Sequence, residues 1–121
     1  MAVQDLYRAE VARRRTARDK QCAPYEAAKA QLKTLYRSLI DDRDFIDEIV
    51  AEIELLDDDL RIDNGPLMIV LTALETGGVR LEYEVKKPGN YESIVIPHVR
   101  TVEDAERSIA RLLAEYPRNK D

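Results

Sequence analysis

The chain has little of several residue types, and each shortage narrows the class of protein it can be. Its 121 residues include one Cys, no Trp and one Phe, and aromatic residues make up only 6%. Because Cys22 has no second Cys to pair with, a reducing, cytoplasmic compartment is the expectation. The sequence has no apolar run of about eighteen residues, and its N-terminus has no uninterrupted apolar segment. We therefore expect neither a membrane-spanning helix nor a secretory signal.

Side chains that could carry catalysis or hold a metal are also scarce. His98 is the only histidine, and the only cysteine lies far from it along the chain. The aspartates at 57, 58, 59 and 63 do not form a calcium loop, because counting back from Gly65 puts Leu60 at the first ligand position. The Gly77-Gly78 pair sits between predicted strands and so cannot cradle a phosphate at a helix N-terminus. The sequence predicts a non-enzymatic protein without a cofactor or metal site.

Charge is distributed unevenly along this acidic chain, whose formal net charge is −5. Residues 1–37 hold nine Lys or Arg against four Asp or Glu, whereas residues 38–63 hold two against eleven. Two helical segments of opposite charge favour antiparallel pairing, either within one chain or between two copies.

The first segment predicts a helix over residues 3–22 with one basic cluster. Its apolar pattern, Leu6, Tyr7 and Val11, fades after Val11, and the helix is expected to end near Cys22, just before Pro24. The cluster predicts contact with an acidic partner or with the acidic segment. Nucleic-acid binding is the alternative, although no aromatic residue interleaves the basic ones. The cluster consists of Arg13, Arg14, Arg15, Arg18 and Lys20.

The longest pattern predicts a helix over residues 25–60, about 54 Å long at roughly 1.5 Å per residue. Alternate steps of three and four residues from Tyr25 meet an apolar or aromatic side chain at ten of eleven positions. That spacing is typical of a coiled coil. We call the predicted interface of this helix the seam; it comprises Leu32, Leu35, Leu39, Asp42, Ile46, Ile49, Ile53 and Leu56.

Asp42 is the exception on the seam, and it leaves two interpretations open. In a continuous helix its carboxylate would need a basic partner or water. In the alternative the helix restarts as an αα-hairpin, with Asp41 as N-cap, Asp44 at the third helical position, and Ile40 packed on Phe45.

The remaining chain predicts three strands and one helix. Asn64, Gly65 and Pro66 are expected to end the long helix. Strands are predicted at residues 67–74, 79–85 and 91–96, with turns at Gly77-Gly78 and at residues 87–90. Thr101 starts a helix that covers the sheet. The predicted fold is therefore α+β, with a helical region at 1–64 and a β-β-β-α unit at 65–121 packed as one domain.

These patterns together predict an interaction module. The leading hypothesis is a non-enzymatic assembly protein that forms a homodimer through helix 25–60, with its β-meander head free to bind another protein. One alternative is a nucleic-acid-associated protein that uses residues 13–20. The other is an acidic inhibitor, or nucleic-acid mimic, of a basic partner.

Overall fold

The computed structural model describes residues 2–87 and 90–118, with side chains described outside residues 16–22, 87 and 90–92. None of the described helices has the length and hydropathy needed to cross a bilayer. In chain order the elements are α1 (Val3–Asp41), α2 (Arg43–Ile49), β1 (Glu52–Leu55), β2 (Asp59–Asp63), β3 (Leu67–Ala73), β4 (Val79–Lys87), β5 (Asn90–Ile96) and α3 (Val102–Glu115).

The strands form one antiparallel sheet in which spatial order follows chain order, β1-β2-β3-β4-β5. Burial alternates along the central strand β3, where Leu67, Ile69, Leu71 and Ala73 are buried and the residues between them are half-buried. Because successive side chains of a strand point to opposite faces, one face of the sheet carries the core and the other is open.

Two helices cover the apolar face of the sheet. The second half of α1 contributes Ala28, Leu32 and Leu35 to the core, and α3 contributes Ala105, Ile109, Leu112 and Leu113. The Thr101 hydroxyl accepts a hydrogen bond from the Asp104 amide at 3.2 Å, so α3 begins where the sequence pattern predicts. The α+β class and the covering C-terminal helix are confirmed.

The prediction of a helix as far as Leu60 is wrong. Helix α2 ends at Ile49, Val50 takes a left-handed conformation with φ 51°, and residues 52–63 form strands β1 and β2. In these strands charged residues alternate with Ile53 and Leu55, and with Leu60 and Ile62. A strand repeat of two and a helical repeat of 3.5 both place Ile53 and Leu60 on one face, so the apolar spacing alone could not distinguish the two structures.

The sheet therefore has five strands where three were predicted. The extra strands extend it on the β3 side, where Ile69 pairs with Ile62 and Ile62 pairs with Ile53. The predicted turn at residues 87–90 lies largely outside the described residues. The helical region predicted for 1–64 thus supplies two strands to the same sheet as the unit predicted for 65–121.

The helix breaks at Asp42, so the continuous interpretation is wrong. Asp42 itself caps α2 by accepting a hydrogen bond from the Phe45 amide at 3.1 Å, one residue later than the Asp41 cap of the alternative interpretation. The second helix of the predicted hairpin is only seven residues long.

The predicted helix boundary near Cys22 is also wrong, since α1 continues through Pro24 as one helix of 39 residues. A proline inside a helix removes one backbone donor and usually kinks or ends the helix. Here the proline is flanked within four residues by the good helix formers Ala23, Ala27 and Ala28, which favour continuation of the helix.

The Asn64-Gly65-Pro66 segment closes a β-hairpin and not a helix. The Asn64 side-chain oxygen accepts a hydrogen bond from the Leu67 amide at 2.9 Å, and Gly65 has φ 103°. The Asn64 amide nitrogen donates to the Tyr116 carbonyl at 2.8 Å. This fully buried side chain therefore ties the end of α3 to the β2–β3 turn.

Candidate functional site

The first half of α1 extends beyond the core of the molecule. Among the side chains that the structure describes, the core and the residues packed on it begin, along α1, at Tyr25. Residues 3–23, which we call the arm, make up roughly 32 Å of helix at about 1.5 Å per residue. The described side chains of the arm, at residues 3–15 and 23, are all exposed except for the half-buried Glu10.

The arm carries an apolar stripe on one face. Val3 is 77% exposed, Leu6 53%, Tyr7 68% and Val11 37%. Steps of three and four residues place these side chains together along the helix. An exposed apolar stripe of this kind is a candidate binding surface.

Polar contacts join Tyr25 and Lys29 of α1 to the turn between β1 and β2. The Tyr25 hydroxyl donates to an Asp58 carboxylate oxygen at 3.1 Å, and the Lys29 ammonium lies 3.4 Å from Asp57 and 4.9 Å from the centre of the Tyr25 ring. Partial burial raises the pKa of the Tyr25 hydroxyl, and the hydrogen bond to Asp58 raises it further. These contacts hold α1, just beyond the end of the arm, against the β1–β2 turn.

The described part of the basic cluster makes local ion pairs. Arg13 lies 2.6 Å and Arg14 3.1 Å from the same Glu10 oxygen, and these hydrogen bonds lower the pKa of the Glu10 carboxyl. Arg15 is exposed, and the side chains of Arg18 and Lys20 lie outside the described residues. The arm keeps a positive excess, because residues 1–22 hold six Arg or Lys against three Asp or Glu.

A groove of about 870 Å³ runs between α1 and α3 on the outer side of the helical layer. Leu35 and Ile109 form part of its floor and are almost fully buried. The α1 side is lined by Ala30, Gln31, Thr34, Leu35, Ser38 and Leu39. The α3 side is lined by Thr101, Val102, Glu103, Glu106, Ile109 and Ala110.

The groove continues toward the C-terminal end of α3. A second cavity of about 380 Å³ shares Phe45 and Ala110 with the first and reaches Pro117 and Arg118. The two together follow the whole of α3, whose 14 residues span roughly 21 Å. An apolar channel of this length matches an amphipathic helix better than a compact metabolite.

The residues of the predicted seam do not form one surface. Leu32 and Leu35 are core residues of α1, whereas Leu39, Ile49 and Ile53 are half-buried against the core from three different elements. Ile46 is half-buried on α2, Asp42 is exposed as the α2 cap, and Leu56 is 38% exposed after β1. Leu32 and Leu35 are unavailable to a second copy.

The sequence did not predict the groove, and it placed the interface on the seam and not on the arm. The groove depends on the distance between two helices that are separated by 60 residues of chain, and no local pattern encodes that distance. The sequence does contain a pattern that indicates the arm, since Leu6, Tyr7 and Val11 recur at helical spacing in a segment that is otherwise mostly charged, polar or alanine.

Among the described residues, no three His, Cys, Asp or Glu side chains are placed to share a metal ion, and His98 is exposed after β5. Comparison of the chain with protein-family models, with curated proteins and with solved structures finds no match. The arm and the groove are therefore the candidate site on physical grounds alone.

Proposed function

We propose that this protein is a non-enzymatic interaction module that forms a homodimer through its arm. The observation that carries the proposal is the exposed apolar stripe on a helix that extends beyond the core. Self-association by a helix is retained from the sequence analysis, but the interface moves from the seam to residues 3–23, because the seam is largely occupied within the same chain.

The apolar surface of the arm is large enough to drive association. Full burial of one large apolar side chain stabilises by about 1.5–3 kcal/mol. The four stripe side chains are on average somewhat more than half exposed, so covering them contributes roughly 3–7 kcal/mol per arm. A two-fold dimer covers two arms. After the cost of association this supports a dissociation constant in the micromolar range or weaker.

The charge distribution favours a second copy of the chain as the partner. The arm region has an excess of three positive charges, whereas the rest of the chain holds 13 Lys or Arg against 21 Asp or Glu. If the arm of each copy lies on the body of the other, opposite charges meet twice. Added salt should then weaken the dimer.

Tyr7→Asp tests this proposal against Ala9→Asp as a matched control. The two positions are about 200° apart around the helix, so one carboxylate enters the stripe and the other stays outside it. Light scattering over a dilution series from micromolar to millimolar protein should give a mass approaching twice 13.9 kDa for wild type and Ala9→Asp, and 13.9 kDa for Tyr7→Asp. A wild-type mass of one chain throughout the series would refute the proposal.

Nucleic-acid binding by the basic cluster receives less support from the geometry. Arg13 and Arg14 share Glu10, which reduces the positive field that a phosphate backbone would meet. Binding to a DNA duplex of arbitrary sequence that falls steeply with added salt, and that is lost in Arg14→Gln, would make this alternative the leading candidate.

A further inference from the structure

We propose that the arm of one copy lies in the α1–α3 groove of a second copy, whose own arm fills the groove of the first. This inference rests on the proposed self-association and adds the binding site for the arm. The dimer would then contain two identical arm-in-groove contacts related by a two-fold axis, which is the usual symmetry of a homodimer.

The two surfaces match in chemistry. The groove presents the half-buried side chains of Leu39, Phe45 and Val102 above a floor that includes the buried Leu35 and Ile109, and the small Ala110 leaves room on its α3 side. The arm presents the exposed apolar stripe of Val3, Leu6, Tyr7 and Val11, whose side chains are likewise aliphatic or aromatic. An amphipathic helix lying in an apolar groove is a common mode of protein recognition.

The surfaces also match in length and charge. The stripe from Val3 to Val11 covers roughly 12 Å of helix, which fits within the roughly 21 Å channel along α3. Glu103 and Glu106 line the groove on the α3 side, and the arm carries Arg8 together with the basic cluster. Acidic groups beside the groove therefore meet a helix with excess positive charge.

The arm cannot reach the groove of its own chain while α1 is intact. The groove is lined by residues 30–39 of the same continuous helix, and the arm leaves along that helix axis in the opposite direction. A two-fold axis near residue 22, the midpoint of α1, would instead place residues 3–11 of one copy beside residues 33–41 of the other. An antiparallel pair of α1 helices thus brings each arm to the partner's groove.

Three variants test the arrangement, and all three positions are exposed. Tyr7→Asp disrupts the arm, Ala110→Arg fills the groove with a bulky positive charge, and Val95→Arg places the same charge on the open face of the sheet as a control. We expect the dissociation constant to rise at least tenfold in the arm and groove variants and to stay within twofold in the control. Circular dichroism should show wild-type helicity in each; if Ala110→Arg fails this test, Glu106→Arg replaces it.

Mixing the arm variant with the groove variant gives the decisive result. In a mixed pair, the intact arm of the groove variant can enter the intact groove of the arm variant. We therefore expect the equimolar mixture to form heterodimers at concentrations where neither variant associates alone. If the groove variant dimerises like wild type, or if Val95→Arg is the variant that dissociates, the arm-in-groove arrangement is overturned, while self-association stands. A monomeric wild type would instead overturn the proposed function itself.

Disulfide crosslinking distinguishes an arm that lies in the groove of a second copy from an arm that folds back into the groove of its own chain. With Cys22→Ser as background, a chain carrying Tyr7→Cys and Ala110→Cys should give a disulfide-linked species of dimer mass on mild oxidation. Replacing Ala110→Cys by Arg107→Cys, on the same helix outside the groove lining, should abolish this species. A linked species of monomer mass would mean that α1 bends near Pro24 and would overturn the proposal.

Discussion

Gly78→Ala should be one of the most damaging single-methyl additions in this protein. Gly78 lies in the β3–β4 turn with φ 81°, a conformation that side chains rarely adopt. A Cβ atom at this position would overlap the carbonyl oxygen of Arg100. That oxygen accepts a hydrogen bond from the Val79 amide at 2.9 Å, so it cannot move away without breaking the contact that holds the start of α3 to the sheet.

The expected cost can be separated into two parts. The left-handed conformation costs an alanine about 1–2 kcal/mol, and relieving the overlap costs about 1–3 kcal/mol more in shifted backbone and a weakened hydrogen bond. Gly65→Ala is the matched control. Gly65 has φ 103°, but its nearest neighbour would be the flexible Arg118 side chain at 3.8 Å, so only the first part applies.

Urea denaturation of the two variants should therefore differ by roughly 1–3 kcal/mol, with Gly78→Ala the less stable. Because Thr101 and Val102 line the groove directly after Arg100, the same variant should also weaken self-association measured under native conditions. Equal urea midpoints for both variants would show that the overlap with Arg100 has no energetic consequence and would refute the reasoning.

Three further predictions concern the body of the protein. Asn64→Ala removes both hydrogen bonds of a buried side chain and should cost about 2–3 kcal/mol in urea denaturation. Leu32→Ala, at a fully buried position, should cost about 3–5 kcal/mol, whereas Leu6→Ala on the arm should leave unfolding of the dilute monomer within about 0.5 kcal/mol of wild type. Burial opposes ionisation of Asp63, but hydrogen bonds from Lys86 and from the Gly65 amide outweigh it and lower its pKa below the ordinary 3.8. The stability that this carboxylate adds is complete above its ordinary pKa and is lost as the pH falls through its lowered pKa. Asp63→Asn should therefore lose less stability than wild type between about pH 6 and pH 3. The difference should be only a few tenths of a kcal/mol, since the side chains of Asp63 and Lys86 are both more than one third exposed.

The C-terminal half shows how far local pattern can predict this fold. Strands β3 and β4 are bounded by Gly and Pro residues that favour turns over continued strand or helix. Helix α3 begins at a side-chain cap and has one apolar face. In each case the period of the apolar residues, the cap and the breaker indicate the same element. The strands and helix predicted there are present.

Residues 52–63 show where local pattern fails. Ile53 and Leu60 suit a helical seam at spacing seven, yet with Leu55 and Ile62 they equally suit two strands at spacing two. The choice depends on β3, whose edge offers unpaired backbone groups and whose apolar face needs neighbours to continue it. Pairing with β3 depends on residues outside the segment, so the sequence of residues 52–63 alone does not predict it.

Local sequence pattern was enough to predict the α+β class and the covering C-terminal helix. It also shows the uneven distribution of charge and the many apolar residues of the N-terminal helices. The tertiary structure decided which of those apolar residues are covered. It buries Leu32 and Leu35 under the sheet, leaves Tyr7 and its neighbours exposed on the arm, and opens a groove between α1 and α3. The physical reason is that helical period is a property of neighbouring residues, whereas burial is a property of distances between elements far apart in the chain.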